Sequence, residues 1–86
     1  MNSILVVEDE PKVASFIRRA LEEESYAVDV CADGASGLDW AQMVDYDLMI
    51  LDLMLPGLPG VEVLKRARAA GVKTPVMILT ARSEVD

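Results

Sequence analysis

The chain has 86 residues, 52% of them hydrophobic and 27% charged, which is enough apolar content for one folded domain and too little length for two. Fifteen acids against eight bases give a net charge of −7, which argues against a nucleic-acid surface and for hard cations or basic partners. One cysteine excludes an intramolecular disulfide, and the lack of histidine removes the usual zinc patterns. No apolar run approaches the roughly 18–20 residues of a transmembrane helix. The short apolar stretch near Met1 has no basic region ahead of it, which argues against a signal peptide. The expectation is a soluble, intracellular domain with no membrane contact.

In chain order, apolar runs fall at Ile4–Val7, Ala27–Cys31, Leu48–Leu51 and Val76–Leu79. Three are continuous, as strands buried on both faces read. The second, Ala27-Val28-Asp29-Val30-Cys31, carries a charge in its middle and belongs at a sheet edge. Helical patterns lie between the runs. After Pro11, which suits a first turn, Val13, Phe16, Ile17, Ala20 and Leu21 form an apolar stripe. A second helix is predicted over Ala35–Val44, with Asp33 as N-cap and Leu38 and Ala41 inward. A third is predicted over Val61–Ala70, with Val61, Leu64 and Ala67 inward and Gly71 as the stop. Trp40 and Tyr46 read as packing anchors, Met43, Met49, Met54 and Met77 as core or rim filler, and Cys31 as a small buried residue without redox role. Lys65-Arg66-Ala67-Arg68 and Glu22-Glu23-Glu24 read as solvated helix faces. The order β-α-β-α-β-α-β, with right-handed crossovers, predicts an α/β doubly wound parallel sheet.

In such sheets the ligand crevice lies outside the carboxyl ends of the strands, at the switch point. The first strand delivers Glu8-Asp9-Glu10 there, the third delivers Asp52, and the fourth delivers Thr80-Ala81. Carboxylates brought together raise one another's pKa, and a divalent cation resolves the conflict. Oxygen-only ligands select Mg²⁺, Mn²⁺ or Ca²⁺, and Mg²⁺ fits best because it keeps waters for a phosphoryl group. A carboxylate on bound Mg²⁺ beside a hydroxyl is a phosphoryl acceptor in the making. A blander alternative has Glu8-Asp9-Glu10 merely complementing a helix dipole. Asp52 resists that reading, because an acid between Leu48–Leu51 and Leu53–Leu55 interrupts an otherwise apolar run and is costly to bury unpaired.

The segments Ile-Leu-Val-Val-Glu-Asp-Glu at 4–10, Asp-Leu-Met-Ile-Leu-Asp-Leu-Met-Leu-Pro-Gly at 47–57, Gly60 and Thr-Pro-Val-Met-Ile-Leu-Thr-Ala at 74–81 resemble the receiver domain of two-component response regulators. The wording is closest to the winged-helix transcription-factor class. The resemblance implies a flavodoxin-like sheet of strand order 2-1-3-4. It implies that Asp52 accepts a phosphoryl group from a sensor histidine kinase. Asp9 would then bind Mg²⁺ (or Mn²⁺) directly, Glu8 mostly through water, and Met54 through its backbone carbonyl. Thr80 would be the switch hydroxyl, with the Ala81 N–H beside it. Pro59 departs from the family's frequent acid, which bears on the cap of the third helix.

On this resemblance, residues 1–86 form the N-terminal part of a receiver. A fourth helix, a fifth strand bearing a lysine, a fifth helix and a DNA-binding domain would complete the parent protein, a cytoplasmic transcriptional regulator whose receiver makes no direct nucleic-acid contact. The fourth strand is then expected to be an open apolar edge through which the chain self-associates. Three other readings compete. An aspartyl phosphatase places a second acid two residues after its nucleophile, where this chain has Met54. A nucleotide-binding module needs a Gly-rich first turn, where this chain has Glu-Asp-Glu-Pro. A structural, self-associating fragment would have lost phosphorelay activity together with the lysine.

Overall fold

The structure, a computed structural model, describes residues 2–79. The chain alternates β1 (Ser3–Val7), α1 (Pro11–Glu23), β2 (Ala27–Cys31), α2 (Gly34–Met43), β3 (Leu48–Asp52), α3 (Gly60–Ala69) and β4 (Val76–Leu79). All pairings are parallel, in the order β2-β1-β3-β4. The strand that carries Asp29 is therefore an edge, as its interrupted apolar run predicts.

Strand periodicity explains why the apolar runs are continuous, since successive side chains point to opposite faces. Leu5, Val7, Cys31, Met49 and Leu51 pack with Ala41, Tyr46 and Val63 under α2 and α3. Ile4, Val6, Val28 and Ile50 form a second cluster, joined by Ile17 and Leu21 of α1. The register sets Val7, the last residue of β1, beside both Cys31 and Leu51, so β3 runs one residue further, to Asp52.

Helix ends follow local chemistry. Asp33 caps α2 by accepting from the Ser36 N–H at 2.7 Å. Pro59 caps α3 without any side-chain hydrogen bond, the outcome its lack of a polar side chain implies. Gly71 ends α3 at φ 89°, where the Val72 N–H returns to the Ala67 carbonyl. After α1 the equivalent left-handed position is taken by Ser25, at φ 71°.

Four expectations need correction. Phe16 is 68% exposed and Ala20 is exposed, because α1 leans over β2 and β1 and presents Ala14, Ile17 and Leu21 to the sheet. In α3 the fully buried valine is Val63, while Val61 is exposed. The inward stripe is Gly60, Val63, Leu64 and Ala67. Of the aromatic residues expected to anchor packing, Tyr46 is buried and donates to Asp29 Oδ2 at 2.8 Å, but Trp40 is 40% exposed. Met49 is wholly buried, whereas Met43, Met54 and Met77 are exposed. Cys31 is a buried free thiol, its pKa pushed up by burial and by the Asp33 and Asp29 charges. Lys65 and Arg66 pair with Glu62 on the solvated face of α3.

Candidate metal centre

Parallel pairing of β1 with β3 decides the site. Because Val7 is paired with Leu51, the residues that follow them, Glu8 and Asp52, emerge side by side at the carboxyl edge of the sheet. Glu8 is anchored there by its own N–H, which donates to the Cys31 carbonyl at 3.0 Å. Glu8, Asp9 and Asp52 each offer a carboxylate oxygen, and these three atoms all lie within 4.8 Å of one another. Glu8 and Asp52 are each only 3% exposed, while Asp9 stands in solvent.

Hydrogen bonds to backbone hold two of the carboxylates. Glu8 Oε2 accepts from the Glu10 N–H at 2.9 Å, and Asp52 Oδ1 accepts from the Met54 N–H at 3.0 Å. Glu8 Oε1 is buried and has no hydrogen-bond partner. A buried carboxylate oxygen without a donor is costly. Burial, followed by the Asp52 and Asp9 charges, raises the Glu8 pKa above its ordinary value, against a lowering pull from the Glu10 N–H.

An orphaned buried oxygen and three crowded carboxylates fit a hard divalent cation. The donor set is all oxygen, without sulfur or imidazole, which matches Mg²⁺ or Mn²⁺. Such an ion would satisfy Glu8 Oε1, directly or through its own waters, and offset the mutual repulsion.

Gly60 supports the site from below. A Cβ on this residue would press into the Asp52 carbonyl oxygen and the Leu53 Cα, both of which are backbone. The Gly60 N–H donates to the Leu53 carbonyl at 3.2 Å. The first residue of α3 thus lies directly against the acid-bearing loop. In the sequence Gly60 stands out only as a motif residue, because a close approach of two backbones leaves no signal in the one-dimensional pattern. Met54 is expected from the sequence to offer only its carbonyl, whereas the bond that orients Asp52 comes from the Met54 N–H. Thr80 and Ala81 lie outside the described residues.

Among the described residues, no helix is long and apolar enough to cross a membrane. Residues 4–86 match the model of the response regulator receiver domain. The chain is 51% identical over 82 residues to the transcriptional regulatory protein TcrA of Mycobacterium tuberculosis, covering 95% of this chain and 32% of that protein. It is 49% identical over 84 residues to the response regulator ArlR of Staphylococcus epidermidis, covering 98% of this chain and 38% of that one. The chain therefore spans about a third of the length of these relatives. Among solved structures, the response regulator TrrA of Thermotoga maritima in complex with Mg²⁺-BeF superposes with a TM-score of 0.90 at 37% identity, over 96% of this chain and 72% of that one. The receiver domain of the sensor histidine kinase PA1611 of Pseudomonas aeruginosa, with a magnesium ion coordinated in its active-site cleft, gives 0.89 at 34% identity, over 94% of this chain and 68% of that one. A family match across almost the whole sequence, beside solved receiver domains of the same fold, leads to one conclusion: the chain belongs to the response regulator receiver domains.

Proposed function

We propose that this chain is a Mg²⁺-dependent aspartyl phosphoacceptor, with Asp52 the residue phosphorylated by a sensor histidine kinase. The observation that carries the proposal is the meeting of Glu8, Asp9 and Asp52 at the ends of β1 and β3. With Oδ1 held by the Met54 N–H, Asp52 keeps Oδ2 as the nucleophile. That oxygen attacks the phosphorus of a phosphohistidine, an O–P bond forms, the P–N bond breaks, and the leaving imidazole carries the electron pair and takes up a proton. Asp9, Glu8 and Asp52, with the Met54 carbonyl, would hold the ion, which supplies charge neutralisation for the phosphoryl oxygens when bound. Thr80 and the Ala81 N–H are proposed to receive the phosphoryl oxygens.

The kinase, an attached DNA-binding domain and a cytoplasmic setting belong to the same reading, supported by relatives that are transcriptional regulatory proteins. The chain is a phosphorylated switch in this reading and turns over no substrate of its own. Incubation with Mg²⁺ and phosphoramidate, followed by intact-mass measurement, tests it. One added phosphoryl group, lost without Mg²⁺ and in Asp52→Asn, is expected. A folded chain that stays unmodified under these conditions refutes the proposal.

A second reading rests on β4. Met77 and Ile78, on opposite faces of this strand, are both exposed. Apolar side chains on both faces of a strand at the edge of the described sheet favour self-association through it. Light scattering at micromolar concentration would show oligomers, and a monodisperse monomer overturns this reading.

A further inference from the structure

The loop that follows Asp52, residues 53–59, is pressed by two helix starts. Gly60, at the head of α3, lies against the Asp52 carbonyl and the Leu53 Cα. Gly34, at the head of α2, lies against the other end of the loop. A Cβ there would press into the Leu58 carbonyl oxygen and stand 2.9 Å from Val63 Cγ2. Gly34 is buried, and the Asp33 cap fixes the turn that it begins.

If an atom were added at this contact, one side would have to yield. α2 is seated on β1 through Gly37, where a Cβ would stand 2.7 Å from Val7 Cγ2, and a retreat of the helix would open a gap at Leu38 and Ala41. The loop is held less firmly. Among the described residues, 55–58 make no backbone hydrogen bond, and Pro56 and Gly57 are exposed. Movement of the Leu58 carbonyl would be carried forward by a stiff link. That carbonyl belongs to the Leu58–Pro59 peptide, the proline ring holds φ at −64°, and the next residue is Gly60. A push at Gly34 thus arrives at the backbone of Asp52 and Leu53, beside the Asp52 carboxylate and the Met54 N–H that orients it.

We propose that Gly34 is a positioning residue for the metal centre. Its missing side chain lets the Leu58 carbonyl sit where Gly60 keeps Asp52 and Met54 in place for the ion. This rests on the reading of Glu8, Asp9 and Asp52 as a Mg²⁺ site. The nearest neighbours of Gly34 are Leu58 and Val63, so it acts through the 58–60 link, as outer residues that orient metal ligands do.

Two readouts on the whole chain test it. Titration calorimetry gives the Mg²⁺ affinity, and exchange of the Met54 amide hydrogen in EDTA reports its bond to Asp52 without any metal. In a Gly34→Ala variant that keeps the parent's far-ultraviolet circular dichroism, Mg²⁺ should bind about tenfold more weakly and the Met54 amide should exchange about tenfold faster. Leu21→Ala, which lowers stability from the α1 side of the sheet, should leave both values unchanged. Pro59→Gly softens the link at an exposed position, and should weaken Mg²⁺ binding and speed Met54 exchange about threefold each. With the link softened, adding Gly34→Ala should change both values by less than it does in the parent. The proposal is overturned by any of three results: Met54 exchange or Mg²⁺ affinity unchanged in a folded Gly34→Ala, equal effects from Leu21→Ala, or full additivity of Gly34→Ala and Pro59→Gly. If Gly34→Ala does not fold, Pro59→Gly decides alone, and Met54 exchange at the parent's rate overturns it. A parent that binds no Mg²⁺ refutes the metal reading instead, and the Met54 exchange rates then decide the role of Gly34.

Discussion

Replacing Asp52 by Asn should stabilise the metal-free protein while removing most of its response to Mg²⁺. The Asn carbonyl oxygen can still accept from the Met54 N–H, so the bond that orients the side chain survives. What disappears is one of three negative charges whose oxygens lie within 4.8 Å of one another. Two unit charges at that separation repel by about 3.5 kcal/mol at an effective dielectric of 20 and by about 0.9 kcal/mol in water. Glu8 is buried and Asp9 exposed, so the net gain should lie near 1–3 kcal/mol, a large share of the stability of so small a domain. Urea denaturation in EDTA at neutral pH measures it directly. Repeated at Mg²⁺ a hundredfold above its dissociation constant, the parent should gain about 2.7 kcal/mol by mass action, and the variant far less. If the Asn variant is less stable in EDTA, or gains as much from Mg²⁺ as the parent, the three carboxylates do not share an ion and the electrostatic account fails.

The raised Glu8 pKa has a sign that can be tested. The folded state takes up this proton at higher pH than the unfolded chain, so the metal-free protein loses stability as pH climbs from Glu8's ordinary 4.5 through the raised value. In EDTA, the advantage of Glu8→Gln over the parent should therefore widen with rising pH, and an advantage flat from pH 4 to pH 8 contradicts the assignment. Gly60→Ala forces a methyl against the backbone of Asp52 and Leu53, and should cost about 2–4 kcal/mol in urea while weakening Mg²⁺ binding. A variant with unchanged Mg²⁺ affinity would show that the contact does not shape the site. Ser25→Gly relieves a left-handed backbone at φ 71° and should add about 0.5–1 kcal/mol, seen as a melting point a few degrees higher. An unchanged melting point would mean that Ser25 carries no strain.

Strand positions were legible because burial on both faces leaves no polar alternation to confuse them, and the two acid positions were legible because each interrupts or ends such a run. Helix phase was harder to read. In α1 the stripes 13-16-17-20-21 and 14-17-21 share residues, and the tie is broken only by where the helix sits over β1 and β2. Ala14 is small enough to lie close to the sheet, which leaves Phe16 turned outward. In α3, Val61 and Val63 are equally apolar in one dimension, and the contact of Gly60 with the Asp52 loop sets the rotation that buries Val63. Trp40 misled for a different reason, since large apolar surface favours burial without requiring it. In the sequence Glu8 carries no signal of its orphaned oxygen, which exists only once the fold has buried it.

The bond between Tyr46 and Asp29 has a bearing on how the chain finds its pairing. β2 is an edge strand of five residues, held to the sheet on one side only by β1. A slip of one residue would turn Asp29 onto the α1 face, among Ile17, Leu21 and Val28's neighbours, and would part it from the Tyr46 hydroxyl. The carboxylate that spoils an apolar run thus acts as an alignment key. Only one offset of β2 against β1 both keeps its charge out of the α1 layer and satisfies a buried phenol. That offset is also the one that sets the Cys31 carbonyl where it accepts from the Glu8 N–H, so alignment at the sheet's far edge fixes where the first carboxylate of the metal centre begins.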